Sequence, residues 1–169
     1  MVSKMYIFWE ISQCFSLFVY YPQMATVKDI PANQFITALA AHLKKSNKFD
    51  APVNGDIIKT GIHTSLPPQD ADWYYVRLAA IFRRVYLHSG VGIGALRRMF
   101  GGAAVTGSGC KNKHHVDAAG GNIRFALKAL EKAKFVAKKE GSNGRFLTSA
   151  GRRELDVLAS TIKVEKVFF

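Results

Sequence analysis

Residues 122–149 read NIRFALKALEKAKFVAKKEGSNGRFLTS, and this stretch decides the fold. Its first half repeats apolar residues at three- and four-residue steps, which is the spacing of a helix with one buried side. We therefore predict a helix over roughly Asn122–Lys134. The apolar positions are Ile123, Ala126, Leu127 and Leu130. Cations share another side of this helix, at Arg124, Lys128 and Lys132.

The second half of the stretch predicts a β-hairpin and the start of another helix. Phe135–Lys139 has strand character, a turn follows at residues 141–144, and Arg145–Thr148 is the return strand. Thr148 or Ser149 is a suitable N-cap for a final helix. The apolar residues of that helix are Leu155, Leu158, Ala159 and Ile162.

Upstream segments are also mostly helical. A helix begins after Pro31, and the strongly apolar segment Trp73–His88 has apolar residues on nearly every side, as expected at the centre of a bundle. Gly90 and Gly92 end this helix and lead into a short one, Ile93–Phe100. The following small residues, Ala103–Gly109, predict a loop.

This order of elements predicts the fold class. A short helix, a turn, a basic helix, a basic hairpin and a last helix are typical of a winged helix-turn-helix. We expect a mainly α protein, a helical bundle around the central helix with a winged-helix part at about residues 90–162 and a small β-hairpin as its wing. Residues 24–169 form a single domain in this interpretation, because no long linker divides them.

The charge of the chain indicates a polyanionic partner. The 169 residues carry 24 Lys and Arg against 12 Asp and Glu, a formal charge of +12, while 49% of residues are hydrophobic. That apolar content excludes wholesale disorder, and two cysteines, Cys14 and Cys110, exclude a disulfide-rich secreted scaffold. Nucleic acid is the first expectation for the partner and an acidic membrane the second.

Residues 1–23 differ in style from the rest. The segment is rich in aromatic residues and holds one cation, Lys4, and one anion, Glu10, so the net charge of +12 lies entirely downstream. Polar residues interrupt it too often for a membrane-spanning helix, and it has no clear signal-peptide cleavage site. We interpret it as an N-terminal extension or an upstream start before Met24, with folding onto the domain as the alternative.

Several short blocks stand in a distinctive order along the chain. They are TVKD (26–29), ALAAHLKK (38–45), WYYVR (73–77), RRVYL (83–87), GVGIG (90–94), FGG (100–102), ALE (129–131), GRFLT (144–148) and GRR (151–153). Together they resemble the eukaryotic and archaeal family of small-subunit ribosomal protein nineteen, the S-nineteen-e type. The resemblance covers essentially residues 25–160. One departure is the base-poor run at residues 116–122, where relatives tend to be rich in Ser, Arg and Lys.

The resemblance implies a structural protein in the head of the small ribosomal subunit. It would contact the small-subunit rRNA and neighbouring head proteins as a monomer, and it would support pre-rRNA maturation and subunit assembly without being an enzyme. Its place would be the cytoplasmic ribosome, with nucleolar assembly in a eukaryote. The family's aromatic and arginine surface corresponds here to Trp73, Tyr74, Arg77, Arg83 and Arg84.

Other cations extend the predicted RNA-binding surface. Phosphate contacts supply most of the non-specific affinity for nucleic acids, so cations spread over several elements suit a protein surrounded by RNA. The further candidates are Arg97, Arg98, Lys111, Lys113, Arg124, Lys128, Lys138, Lys139 and Arg145.

Other chemistries fit the sequence less well. The alternative function is a winged-helix DNA-binding regulator that reads a groove through the cations of helix 122–134. The glycine run 90–95 fits a dinucleotide fingerprint only on paper, because no βαβ unit surrounds it. Cys110, His114 and His115 are too few ligands for a structural zinc site. We expect no catalytic residues, no metal, no cofactor, no small-molecule substrate and no membrane partner.

Overall fold

A computed structural model describes residues 26–105 and 112–162 of the chain. The predicted segments 1–23 and Cys110–Lys111 therefore lie outside the described residues. The helices are α1 (Ala32–Lys45), α2 (Trp73–Leu87), α3 (Ile93–Met99), α4 (Gly120–Lys132) and α5 (Ser149–Thr161). The strands are β1 (Gly102–Val105), β2 (Lys113–Val116), β3 (Val136–Lys138) and β4 (Arg145–Leu147).

Helix α2 is the centre of the packing, as its apolar composition predicts. It has its most extensive contact with α1, and α4 and strand β4 also pack against it. Phe82 is completely buried and its ring stacks on that of Phe135, with centroids 5.5 Å apart. The core also receives residues from α1, α3, α4 and α5, so the predicted helical bundle around a central helix is confirmed.

The wing is a β-hairpin that is joined to a third short segment. β3 and β4 pair antiparallel, with Lys138 opposite Arg145. Arg145 also forms a β-bridge with Val91, through backbone hydrogen bonds from Gly90 N to Arg145 O and from Arg145 N to Val91 O, both 3.0 Å. This isolated bridge lies where a winged helix has its first strand, and no strand pattern in the sequence indicated it. The winged-helix-like prediction is confirmed.

A second hairpin corrects one of our predictions. We expected a small-residue loop at Ala103–Gly109, of which residues 106–109 lie outside the described residues. The part from 103 to 105 is not a loop, because Gly102–Val105 forms β1 and pairs antiparallel with β2, from Gly102 opposite Val116 to Val105 opposite Lys113. Three of the four residues of β1, Gly102, Ala103 and Ala104, have little strand propensity of their own. Pairing with a partner strand eight or more residues away provides the backbone hydrogen bonds, and this contact has no signature in the local pattern.

The ends of the helices follow the predicted chemistry closely. Gly90 adopts a φ of 79° after α2, and Gly92 is the N-cap of α3, so the glycine run connects two helices. Thr148 caps α5 by accepting a hydrogen bond from Gly151 N at 3.1 Å. Helix α4 begins two residues before the predicted start, at Gly120. Among the described residues, no helix has both the length and the apolar character to cross a membrane.

Candidate nucleic-acid interface

Three arginines of α2 are half-buried cations. The Arg77 guanidinium lies over the Phe100 ring, 4.7 Å from its centroid, and burial lowers the pKa of Arg77. Burial, and then the charge of Arg84, lowers the pKa of Arg83. Within residues 26–105 and 112–162, no carboxylate lies at salt-bridge distance from any of the three. These cations have lost part of their hydration without gaining an anionic partner, which is costly in isolation.

The neighbouring aromatic residues point inward. Trp73 is 8% exposed and its Nε1 donates a hydrogen bond to the Gly55 carbonyl at 3.2 Å. Tyr74 is 2% exposed, and burial raises the pKa of its hydroxyl to about 12. Neither ring offers an open face on which a base can stack. We therefore leave both out of the accessible interface and assign them to the support of α2.

Cations from two different helices converge at the amino end of α4. A Cβ atom added to Gly120 would lie 3.3 Å from Arg97 Cδ and 3.4 Å from one terminal nitrogen of Arg124. Arg97 also approaches Asp117, with 3.5 Å between guanidinium and carboxylate. The segment before α2 is tied to the same place, since Ala119 N donates to Thr60 O at 2.8 Å. The base-poor run of the sequence is thus flanked by Arg97 from α3 and by Arg124 from the next turn of α4.

The wing carries two exposed cations and one buried cation among the predicted RNA-binding residues. Lys138 and Lys139 are exposed, and the Lys139 ammonium lies 4.6 Å from the centroid of the Phe146 ring. Arg145 is only 8% exposed, and its Nε forms an ion pair with a Glu131 carboxylate oxygen. Its role is to join the wing to α4, and we do not include it in the accessible interface.

The remaining candidates are exposed. Arg98 lies on α3, where its carbonyl contacts His115 Nε2 at 3.1 Å. Lys113 extends from β2 and Lys128 from α4, whereas Lys111 lies outside the described residues. In the part of the chain that the structure describes, no three His, Cys, Asp or Glu side chains are grouped as metal ligands would be.

Two residues of this surface, Lys59 and Phe125, were not among the residues predicted from the sequence. Lys59 lies beside the amino end of α4, where its carbonyl accepts a hydrogen bond from Asn122 Nδ2 at 3.2 Å. Phe125 is 41% exposed on α4. Its position was readable, because a helical wheel places it opposite the buried stripe. Nothing local indicated Lys59, since its place depends on a contact across 63 residues.

Comparison with known proteins agrees with this architecture. The family model described as Ribosomal protein S19e matches residues 26–165. The small ribosomal subunit protein eS19 of Emericella nidulans is 46% identical, over 80% of this chain and 90% of that protein. The eS19A protein of Schizosaccharomyces pombe is 43% identical, over 83% and 96%, and the eS19 protein of Oryza sativa subsp. japonica is 40% identical, over 82% and 93%. The sequence, the winged-helix-like fold and these relatives agree: the chain belongs to the ribosomal protein S19e family.

Proposed function

We propose that this protein is a structural constituent of the small ribosomal subunit that binds small-subunit rRNA in the head and supports pre-rRNA maturation. Its relatives are named as small ribosomal subunit proteins, which supports the ribosomal part of the proposal. We expect neighbouring head proteins as further partners and one copy per subunit. Cytoplasmic ribosomes, with assembly in the nucleolus, are the expected location, and no catalytic activity is expected.

The main support for an rRNA contact is that Arg77 and Arg83 are partly buried and unpaired with any described carboxylate. Both guanidinium groups are partly desolvated, and the described residues provide neither of them with a carboxylate. A phosphate fits a guanidinium by two parallel hydrogen bonds and recovers the lost solvation. RNA phosphates are therefore the partner that these side chains lack.

The spread of cations favours rRNA over a single DNA groove. Exposed or half-exposed cations occur on α2, α3, β2, α4 and the wing. A DNA-binding regulator would concentrate its contacts on the recognition helix, here α4 with Arg124, Lys128 and Lys132. The exposed row on α4 suits either partner, whereas the α2 and β2 cations suit only a partner that surrounds the domain.

Sedimentation of cell lysate on a sucrose gradient tests the proposal. The protein is expected to migrate with small subunits, and Arg77→Glu or Arg83→Glu should deplete mature subunits and raise pre-rRNA. Arg153→Glu is the matched control, since it reverses an exposed cation of α5 away from the arginines of α2. Absence of the wild-type protein from the small-subunit fractions would reject the ribosomal assignment, and preferential binding to duplex DNA would support the regulator.

A further inference from the structure

An aromatic side chain stands among the cations of α4. Helical spacing places Phe125 on the side of the helix that carries Lys128 and Lys132, next to Arg124 and away from the core stripe. Its ring is 41% exposed. An exposed aromatic residue has a cost in water, and aromatic residues interleaved with cations are the pattern of surfaces on which nucleic-acid bases stack.

The Phe125 ring is held in place and borders a cleft. It packs against the buried Tyr74 ring at 5.5 Å between centroids, with 59° between the planes. The cleft has a volume of about 260 Å³ and is lined by Pro52, Ile58, Trp73, Tyr74, Asn122 and Phe125 among others. That is just below the roughly 300 Å³ at which pockets for drug-sized ligands begin. The cleft therefore suits a ligand smaller than a typical drug molecule.

Tyr74, one of the residues that line the cleft, carries a hydroxyl that has no hydrogen-bond partner among the described residues. The Tyr74 hydroxyl is buried and makes no hydrogen bond with any described residue. Buried hydroxyls normally find a partner, because leaving one unpaired costs free energy. Burial keeps this hydroxyl protonated, with a pKa of about 12, so it can both donate and accept. The edge of a base carries groups of both kinds.

A place for a phosphate adjoins the cleft. Gly121 lines the cleft, and the preceding residue, Gly120, is where Arg97 and Arg124 converge. A Cβ at Gly121 would meet nothing within 4 Å, so the surface between the two features is open. Asp117 offsets part of the Arg97 charge at 3.5 Å, whereas Arg124 has no ion pair among the described residues, so the place keeps a net positive charge. This charge favours an anionic partner with a flat apolar part, and a nucleotide of RNA has both.

We propose that the amino end of α4 binds one unpaired nucleotide of RNA, with its base on Phe125 in the cleft and its phosphate between Arg97 and Arg124. This inference rests on the proposed rRNA binding and adds to it a specific site and an unpaired nucleotide. It also moves base stacking from Trp73 and Tyr74, which are buried, to a residue that is open to solvent.

Binding of the full-length protein to two stem-loop RNAs tests the site. The RNAs differ only in one bulged nucleotide, which is replaced by fluorescent 2-aminopurine for a second readout. The wild-type protein should prefer the bulged RNA and quench the 2-aminopurine by stacking. Phe125→Ala should lower the affinity for the bulged RNA by about 5- to 100-fold, as loss of one stacked base does, and leave the paired RNA unchanged.

Further variants separate stacking from folding and from general binding. Phe125→Trp should restore preference and quenching, and Phe125→Leu, which keeps apolar packing without a π-face, should not. Val157→Ala removes an exposed apolar side chain from α5 and serves as the control. A wild-type protein that binds both RNAs equally without quenching, or a Phe125→Leu variant that behaves as wild type, would overturn the nucleotide site alone. Failure of the wild-type protein to bind either RNA would instead reject the proposed function.

Discussion

Gly144 is the position at which one added methyl group tests how the wing is attached. A Cβ atom there would lie 2.6 Å from the carbonyl carbon and 2.8 Å from the Cα of Gly90, and it would also overlap the Gly90 oxygen. The obstacle is backbone, so no side chain can rotate away. We expect Gly144→Ala to push the wing away from the segment that precedes α3.

The cost follows from the bonds that hold this contact. Separation would break the hydrogen bonds from Gly90 N to Arg145 O and from Arg145 N to Val91 O, each 3.0 Å long. At about 1 kcal/mol net for each bond, the free energy of unfolding should fall by about 2 kcal/mol. For a protein of this size, that lowers the melting temperature by roughly 4–8 °C.

Thermal unfolding followed by circular dichroism measures this shift. Gly94→Ala is the matched control, because its Cβ would meet nothing within 4 Å and it lies inside helix α3. Alanine is the better helix former, so this variant should be neutral or more stable by up to about 1 kcal/mol. Equal melting temperatures of Gly144→Ala and wild type would refute the close backbone contact, and an equal loss in both variants would refute its specificity.

Three further predictions concern the interior and the RNA contact. Glu131→Ala leaves the buried Arg145 guanidinium without its anion and should cost about 3 kcal/mol in urea unfolding, while unchanged stability would show that the ion pair contributes nothing. Burial raises the pKa of Tyr74 from 10.0 to about 12. The buried hydroxyl therefore contributes to the free energy of unfolding below pH 10, and this contribution is lost as the pH rises towards 12. Tyr74→Phe should remove on the order of 2 kcal/mol from that alkaline loss of stability, and an identical pH profile would contradict the burial of the hydroxyl. Affinity for rRNA should fall steeply with salt, with a logarithmic slope of roughly one per neutralised phosphate, and a flat response would exclude phosphates as the partner.

Local patterns in the sequence predicted most of the helices and the wing. The three- and four-residue spacing of apolar residues in α4 and the turn residues 141–144 act within a few positions, so they can be read without knowing the fold. The β1–β2 hairpin and the bridge between Val91 and Arg145 could not be read in this way. The bridge joins residues that are more than 50 positions apart, and in the β1–β2 hairpin the first three residues of β1 are Gly and Ala, which carry no strand signal.

The candidate site was likewise predictable only in part. Charge and residue type selected the arginines and lysines, and their distribution over several elements pointed to RNA. Residue type could not show that Trp73 and Tyr74 are buried, or that Arg145 forms an ion pair with Glu131. Those outcomes depend on which side chains meet in three dimensions.

Helical periodicity, the net charge of +12 and membership of the family can all be read from the order of residue types alone. Each of these is a property of residue types and their order. Only the tertiary structure decided which cations remain free for a phosphate and which aromatic ring is open to a base. Burial and pairing arise from contacts between distant segments, and such contacts brought Arg97 and Arg124 together around a run that has no bases of its own.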